Sequence, residues 1–469
     1  MRLGDVAGLA QRVTGFALDH RQVAAGNVFG AFRGARFNGE DVIAEAVAKG
    51  AVAVVAGPEA AVVGAVHFAD AQPRRLFAQL AADWYAPYPD TVVAVTGTNG
   101  KTSSVELTRQ LWRMAGHRSA SIGTLGVTTA DEQTSTGLTT PDVVTFLNNM
   151  AGLKALGISH VAYEASSHGL DQYRAEGVPL AAVGFTNLSR DHLDYHADMD
   201  SYFAAKMRLV DEVAQPGAAA VVWADDPKSA EVMARATARG LKSLSVGVSG
   251  ETIRLVARTS TSLGQQLTLT HDGKESKLSL PLIGAYQAAN VLVAAGFALA
   301  TGGDWATTLA GMARLAPVRG RLERAVISLA GAPVYVDYAH TPDAIEAAIA
   351  ALRPHVTGRL ISVIGAGGDR DHGKRAQMGR AAAAASDVVI VTDDNPRSEE
   401  PAAIRKMVMA GAPDATEIGG RREAIGAAIA MARAGDIVLL AGKGHEQGQV
   451  IGGQVLPFDD VTVARECAA

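Results

Sequence analysis

Gly100, Lys101 and Thr102 close the stretch AVTGTNGKTSS, which runs from Ala94 to Ser104 directly after the apolar run TVV. A lysine amine beside a threonine hydroxyl, at the mouth of a glycine-rich turn, suits phosphate and magnesium. The amine reaches the outer phosphates and the hydroxyl ligates the cation. Glycines let backbone N–H groups approach the phosphate, and the dipole of a following helix favours its charge. The usual phosphate loop begins with a glycine where this chain has Val95, although Gly97 stands close by. A chance G-K-T in a glycine-rich turn is the alternative. The loop lies between an apolar strand and a helix, so a nucleotide site is expected over Gly97, Thr98, Asn99, Gly100, Lys101 and Thr102.

Five further stretches carry groups able to do chemistry. In YEASSHGLDQYR, Glu164 ends an apolar run and could complete a magnesium shell, though alone it reads as a surface carboxylate. Its neighbours Ser166, Ser167 and His168 suit a polar substrate. FTNLSRDHLDYHADMDSYFAAK gathers Asp191, His192, Asp194 and His196, and alternating His and Asp can bind a divalent metal. Within that run Asp194 and His196 read as polar loop residues, and Lys206, alone on a helix, reads as part of a solvated face. GAGGDRDHGKR, DDNPRSE and AGKGHE each follow an apolar strand, so they should meet in one crevice and bring Arg370, Asn395, Arg397 and Glu446 together. Cations with one anion suit a zwitterion, since Arg pairs with a carboxylate in bidentate fashion and Glu446 can hold an ammonium.

The elements that position these groups follow a βα rhythm. TVVAVTG is a buried strand and SVELTRQLWRMAG a helix ending at Gly116; ISHVAYEASS and AAVGFTNL are further strands. VYVDYA, LISVIGAGG, DVVIVTDDN and DIVLLAGKG form a second cycle of apolar strands separated by helical stretches. Earlier, GNVFGAF and GAVAVVAG read as strands and DVIAEAVAKG as a helix closing on Gly50. Residues 252–283 alternate apolar and polar side chains and turn at Asp272-Gly273, the signature of a β-rich insert. The fold class is α/β with mostly parallel sheet, in three units over residues 1–83, 84–315 and 316–469, with YAPYP as the first joint.

Composition narrows the partners. A net charge of -5 gives no electrostatic footprint for nucleic acid, so an anionic ligand must be held by local groups. Cys467 is the one cysteine, so no internal disulfide is possible. No signal peptide is seen, and NVLVAAGFALA is too short to cross a bilayer; the expectation is a cytoplasmic protein with no membrane partner.

With these residues in hand, the chain resembles the Mur ligase family of peptidoglycan synthesis along essentially its whole length. TGTNGKT, EASSHGLDQYR, FTNLSRDHLDYH, DYAHTPDA, GGDRDHGKR, DNPR and GKGHE all stand in family order. Any one string is weak; the series is specific, and it accounts for Val95, because this family's loop begins at Thr96-Gly97. The resemblance implies a monomeric, ATP-dependent acid–amino-acid ligase with a uridine-binding N-terminal domain, a central ATPase domain and a C-terminal Rossmann-like domain. It would add meso-diaminopimelate to the D-Glu of UDP-N-acetylmuramoyl-L-Ala-D-Glu through an acyl phosphate, in the service of cell-wall synthesis and division. By the same match, Thr102, Glu164, His192 and Lys206 would hold magnesium, with Lys206 carbamylated. Asn290, Arg321, Asp337 and His340 join the loop in binding ATP. Arg21, Thr139, Thr140, Ser167, Gln172 and Arg174 contact the nucleotide substrate. Arg370, Asp394, Asn395, Arg397, Gly442 and Glu446 form the amino-acid pocket, where DNPR is the form associated with meso-diaminopimelate. The chain departs from the family pattern at His20, Gln287, Ala366 and Trp223.

Three other readings compete. A sibling ligase would take L-lysine instead, against which only the surroundings of Arg397 speak. A metallohydrolase built on His192 to His196 would leave the three charged strand ends unexplained. A nucleotide-gated binding module would need the loop but neither Lys206 nor DNPR.

Overall fold

The strand Thr91–Thr96 is the axis of the molecule. In the computed structural model, which describes residues 2–34, 37–134, 137–261 and 264–469, it pairs in parallel with His160–Glu164 on one side and Ala182–Phe185 on the other. Ser119–Gly123 lies beyond the first neighbour; Ala219–Trp223 and Lys242–Gly247 lie beyond the second. The connections therefore leave Thr91–Thr96 in opposite directions, which opens a crevice at its carboxyl end. These strands are covered on both faces, which is why they read as unbroken apolar runs and not as alternating ones. Helices Lys101–Met114 and Ala285–Ala300 share one face, pinned by a hydrogen bond of 3.0 Å from Trp112 Nε1 to Thr301 Oγ1. The expected β-rich insert forms one edge as Ile253–Thr261, Gly264–His271 and Lys274–Leu280, all antiparallel. Asp272 and Gly273 both have positive φ (48° and 73°), as a two-residue hairpin loop of matching twist requires.

Before this sheet comes a four-stranded parallel one, in the order Gly15–Ala17, Asn27–Gly30, Ala53–Ala56, Val66–Ala69. Helix Pro73–Tyr85 packs on it through Phe77, whose ring meets Phe16 edge-on at 5.3 Å. The expected joint between residues 83 and 84 falls inside the last turn of this helix. After the central sheet comes a six-stranded one that holds the four apolar strands read from the sequence; Pro333–Asp337, Ile437–Ala441, Leu360–Ile364 and Val388–Val391 run parallel in that spatial order. All four carboxyl ends lie along one edge, and that of Pro333–Asp337 leads into Tyr338, Ala339 and His340 at the crevice of the central sheet.

The last of these strand ends is fixed by a buried ion pair. Arg421 and Asp460 are both 0% exposed, joined by hydrogen bonds of 2.8 and 2.6 Å, and Arg421 also donates to Ala441 O at 3.0 Å. This clamps helices Arg421–Met431 and Asp460–Ala468 onto the strand that leads into Gly442. Removing one partner leaves a buried charge unpaired, whereas replacing both with apolar groups does not. Asp460→Ala should therefore cost about 3–5 kcal/mol in thermal or urea denaturation, and an Arg421→Met, Asp460→Leu double variant clearly less.

Candidate active site

The loop after Thr91–Thr96 is held at a distance that only glycine permits. Gly97 has φ 142° and Gly100 φ 86°; a Cβ would stand 1.9 Å from Thr186 Oγ1 at the first and 2.3 Å from Asn290 Oδ1 at the second. The segment 186–189 braces the loop: Thr98 N donates to Asn187 O (2.8 Å), Asn99 N to Asn187 Oδ1 (2.9 Å) and Thr186 Oγ1 to Asn99 O (2.6 Å). Lys101 opens the helix with its amine folded back onto the carbonyls of Gly97 (2.9 Å) and Thr98 (2.7 Å). Burial lowers the pKa of that amine, against the pull of Glu164 and Asp191.

Three segments meet at one atom. Thr102 Oγ1 donates to Glu164 Oε2 at 3.0 Å and accepts from Arg321 Nη2 at 3.0 Å, which joins the central sheet to the C-terminal one. Glu164 is 2% exposed and accepts two more bonds from Thr124, N to Oε1 at 2.7 Å and Oγ1 to Oε2 at 3.1 Å. The surface carboxylate expected for Glu164 in isolation is thus a buried, triply bonded group. Thr124, unmarked in the sequence except by following Gly123 at a strand end, is what aims it. Asn187 was equally silent, its signal being only that it follows the apolar run AAVGF.

Lys206 corrects the expectation of a solvated face. It lies on helix Met199–Arg208 but is 1% exposed, because the helix turns this side inward over the loop. Its Nζ donates to Gly97 O at 2.6 Å and stands 4.2 Å from the centre of the Tyr202 ring. Burial, reinforced by Lys101, holds the amine well below its usual range. His192 is also held low by burial and is therefore neutral at pH 7. Asp191, buried beside it, stays ionised: the surroundings of His192 (3.6 Å), His340 (3.9 Å) and Lys374 (3.5 Å) outweigh its desolvation. The metal cluster that alternating His and Asp suggested does not form. Among the described residues no three His, Cys, Asp or Glu side chains are placed to hold a metal ion together; Asp194 is exposed and His196 is buried against Tyr202 at 5.2 Å. Of the set Thr102, Glu164, His192 and Lys206, the hydroxyl and the carboxylate are hard oxygen donors that suit magnesium, whereas an imidazole and an unmodified amine do not.

The C-terminal sheet supplies the opposite wall. Asp337, at the end of Pro333–Asp337, accepts from Leu322 N (2.7 Å) and Tyr286 OH (3.2 Å), and burial raises its pKa to about 6 against the pull of Arg321. His340 Nδ1 donates to Tyr338 O at 2.8 Å, and burial lowers the pKa of the imidazole to about 4. Gln287 links Asn290 (3.3 Å) to the Arg321 carbonyl (3.3 Å). Lys101, Thr102, Glu164, Asn290, Arg321 and Asp337 all line one cavity of ≈ 460 Å³ between the two sheets, as do Thr139, Ser167, His192, Lys206 and His340.

Next to this cavity, Thr140 Oγ1 donates to Glu164 O (2.8 Å), and Arg174 donates to Thr140 O (3.1 Å) and Gln172 Oε1 (2.6 Å). Ser167 Oγ is buried with no hydrogen-bond partner among the described residues. The three charged strand ends also meet as expected. Asn395 Nδ2 donates to Glu446 Oε2 (2.7 Å), buried Lys443 donates to Asn395 Oδ1 (3.0 Å) and Glu446 (3.2 Å), and Arg397 donates to Gly368 O (2.7 Å). Arg397 has φ 55° and is tied through its backbone N–H to Val450 O at 2.9 Å. Gly442 is obligatory beside Asp394, whose Oδ2 would lie 2.3 Å from a Cβ there. Arg370 is exposed, its guanidinium near Asp369 O at 3.4 Å. Arg21 stands apart from the cavity lining: its side chain is 76% exposed and paired with Asp19.

Gly123 offers a test of how finely Glu164 must be placed. A methyl group there would stand 2.2 Å from Glu164 Oε1, so Gly123→Ala should displace the carboxylate and lower turnover by about a hundredfold while the chain stays folded. The assay is steady-state kinetics beside circular dichroism.

Comparison with known proteins accords with this geometry. Residues 12–85 match the model "Mur ligase family, catalytic domain", residues 95–298 the "Mur ligase middle domain" and residues 320–444 the "Mur ligase, glutamate ligase domain". The chain is 60% identical over 458 residues to a UDP-N-acetylmuramoyl-L-alanyl-D-glutamate--2,6-diaminopimelate ligase of Zymomonas mobilis, covering 97% of this chain and 94% of the relative. It is 48% identical over 458 residues to the enzyme of that name from Caulobacter vibrioides, covering 96% and 94%. A solved structure of a ligase of that name superposes with a TM-score of 0.71 at 32% identity, over 97% of this chain and 94% of the other. The fold is shared with a MurF ligase from Thermotoga maritima in complex with ADP, at a TM-score of 0.63, 20% identity and 98% coverage of both. Three consecutive domain models and relatives matched along nearly their whole length place the chain in the Mur ligase family.

Proposed function

We propose that the chain is an ATP-dependent ligase that joins meso-diaminopimelate to the D-Glu carboxylate of UDP-N-acetylmuramoyl-L-Ala-D-Glu in peptidoglycan precursor synthesis. The observation that carries the reading is the meeting of the phosphate loop, Glu164 and Arg321 at the Thr102 hydroxyl. Residues 1–83 would hold the uridine end of the substrate, with Arg21 at that site, residues 84–315 the ATP, and residues 316–469 the incoming amino acid. The protein acts as a cytoplasmic monomer without a nucleic-acid or membrane partner. Among the described residues no helix is long and apolar enough to cross a membrane.

In this mechanism a D-Glu carboxylate oxygen attacks the γ-phosphorus of ATP, the bond to the β-phosphate oxygen breaks, and ADP leaves with the electron pair. The amine of the amino acid then attacks the acyl phosphate carbon. The tetrahedral adduct expels phosphate, and the amine proton passes to solvent or phosphate. No protein nucleophile takes part, so the chain's work is positioning and charge neutralisation. Lys101 leaves the carbonyls of Gly97 and Thr98 for the outer phosphates, and Arg321 faces them from the other sheet. Thr102 and Glu164, with His192 and a carbamylated Lys206, would hold magnesium, which supplies the remaining positive charge. In its neutral form the Lys206 amine attacks the carbon of carbon dioxide and loses a proton to solvent, and the resulting carbamate is an anionic oxygen ligand; burial lowers the amine toward that form. Thr139, Thr140, Ser167, Gln172 and Arg174 would grip the muramoyl dipeptide. Arg370, Asp394, Asn395, Arg397, Gly442 and Glu446 would take the amino acid, Arg397 pairing with the second carboxylate that lysine lacks.

Phosphate release with ATP, magnesium and UDP-N-acetylmuramoyl-L-Ala-D-Glu should depend on meso-diaminopimelate and be near background with L-lysine. Equal release with lysine would overturn the specificity, and none with either amine would overturn the substrate. Isotope-labelled bicarbonate should give a carbamate signal on wild-type protein that is lost in Lys206→Arg together with most activity; an undiminished signal would move the modification elsewhere.

A further inference from the structure

The cavity between the two sheets has two unlike ends. One is polar, where Lys101, Thr102, Glu164 and Arg321 converge. The other is walled by the uncharged side chains of Trp223, Ala289, Val293, Ala344 and Ala347, with Asp343 one helical turn before Ala347. Trp223 ends the strand Ala219–Trp223, which lies two strands from Thr91–Thr96, about 10 Å across the sheet from the phosphate loop. Its indole is half-buried, and no hydrogen bond to its N–H is made among the described residues. Gly247 leaves room for it: a Cβ at that residue would lie 3.3 Å from Trp223 Cζ3. The alanines opposite keep a slot open where larger side chains would fill it.

We propose that Trp223 is the platform for the purine base of the nucleotide, a stacking surface that raises nucleotide affinity without reading the base. The inference rests on the ATP-dependent reading above and adds the residue that seats the base. Aromatic stacking is tolerant of base identity, because every base presents a π-face. Trp223 should therefore favour ATP and GTP alike and leave discrimination between them to polar groups. It should contribute nothing to a ligand that has phosphates but no base.

The test compares wild type, Trp223→Ser and Trp223→Phe in steady-state kinetics with ATP and with GTP, and in inhibition by inorganic tripolyphosphate. Trp223→Ser should raise KM for both nucleotides about tenfold, with a much smaller change in kcat, and Trp223→Phe should recover most of the loss. The inhibition constant of tripolyphosphate should be unchanged across the series, and quenching of tryptophan fluorescence by ADP should diminish in Trp223→Phe. A KM for ATP within about twofold of wild type in Trp223→Ser would overturn the proposal. Equal weakening of ATP and tripolyphosphate would overturn it too, since the residue would then act by supporting the loop. Wild type that binds no ATP would instead bring down the nucleotide reading on which the proposal stands.

Discussion

The closeness of the backbone at Gly97 to the segment 186–189 is the constraint on which the rest of the site depends. With no Cβ in the way, the loop lies directly on Thr186 and Asn187, and its carbonyl at Gly97 becomes the acceptor for both Lys101 and Lys206. The helix that starts at Lys101 then delivers Thr102 to Glu164, and Thr102 in turn meets Arg321 from the other sheet. A side chain at Gly97 would lift the loop, and every later contact would lose its register. The strand order makes this possible, because Thr91–Thr96 stands where the connections diverge and its end is open to a ligand.

Electrostatics and burial work together around that loop. The amines of Lys101 and Lys206 are both desolvated and both lowered, while Asp191 keeps its charge beside Lys374 and the His192 backbone N–H. Such clusters are costly for stability and typical of functional sites, where the strain of confinement is what prepares the groups. The buried pair of Arg421 and Asp460, by contrast, is fully matched and serves to hold a strand end in place.

Much of this was legible in the sequence. Unbroken apolar runs ending in Gly or Asp marked the parallel strands, the Asp272-Gly273 turn marked the hairpin, and the three charged loops of the last third met as their shared strand-end position required. What the sequence could not carry is the inward turn of a helix. Lys206 has no local signal of burial, because its environment is built by the loop around Gly97 and by Tyr202 on its own helix. Thr124 and Asn187 were silent for a similar reason: a threonine or asparagine after a strand is commonplace, and only the packed fold shows which carboxylate or amide it orients. His and Asp in alternation, conversely, promised a cluster that the chain direction splits, with Asp194 outward and His196 inward against an aromatic ring.

The network of Lys443, Asn395 and Glu446 has a consequence for what can enter beside it. Glu446 already shares its Oε2 between an amide and a buried lysine, so it does not present an isolated negative charge. A simple diamine arriving there would bring positive charge to a carboxylate that is already matched, close to Lys443 and to Arg397. A molecule carrying its own anions alongside its ammonium groups would bring no such excess. In the ligase proposed above, such a pocket would screen visitors by their internal charge balance before any contact of shape came into play.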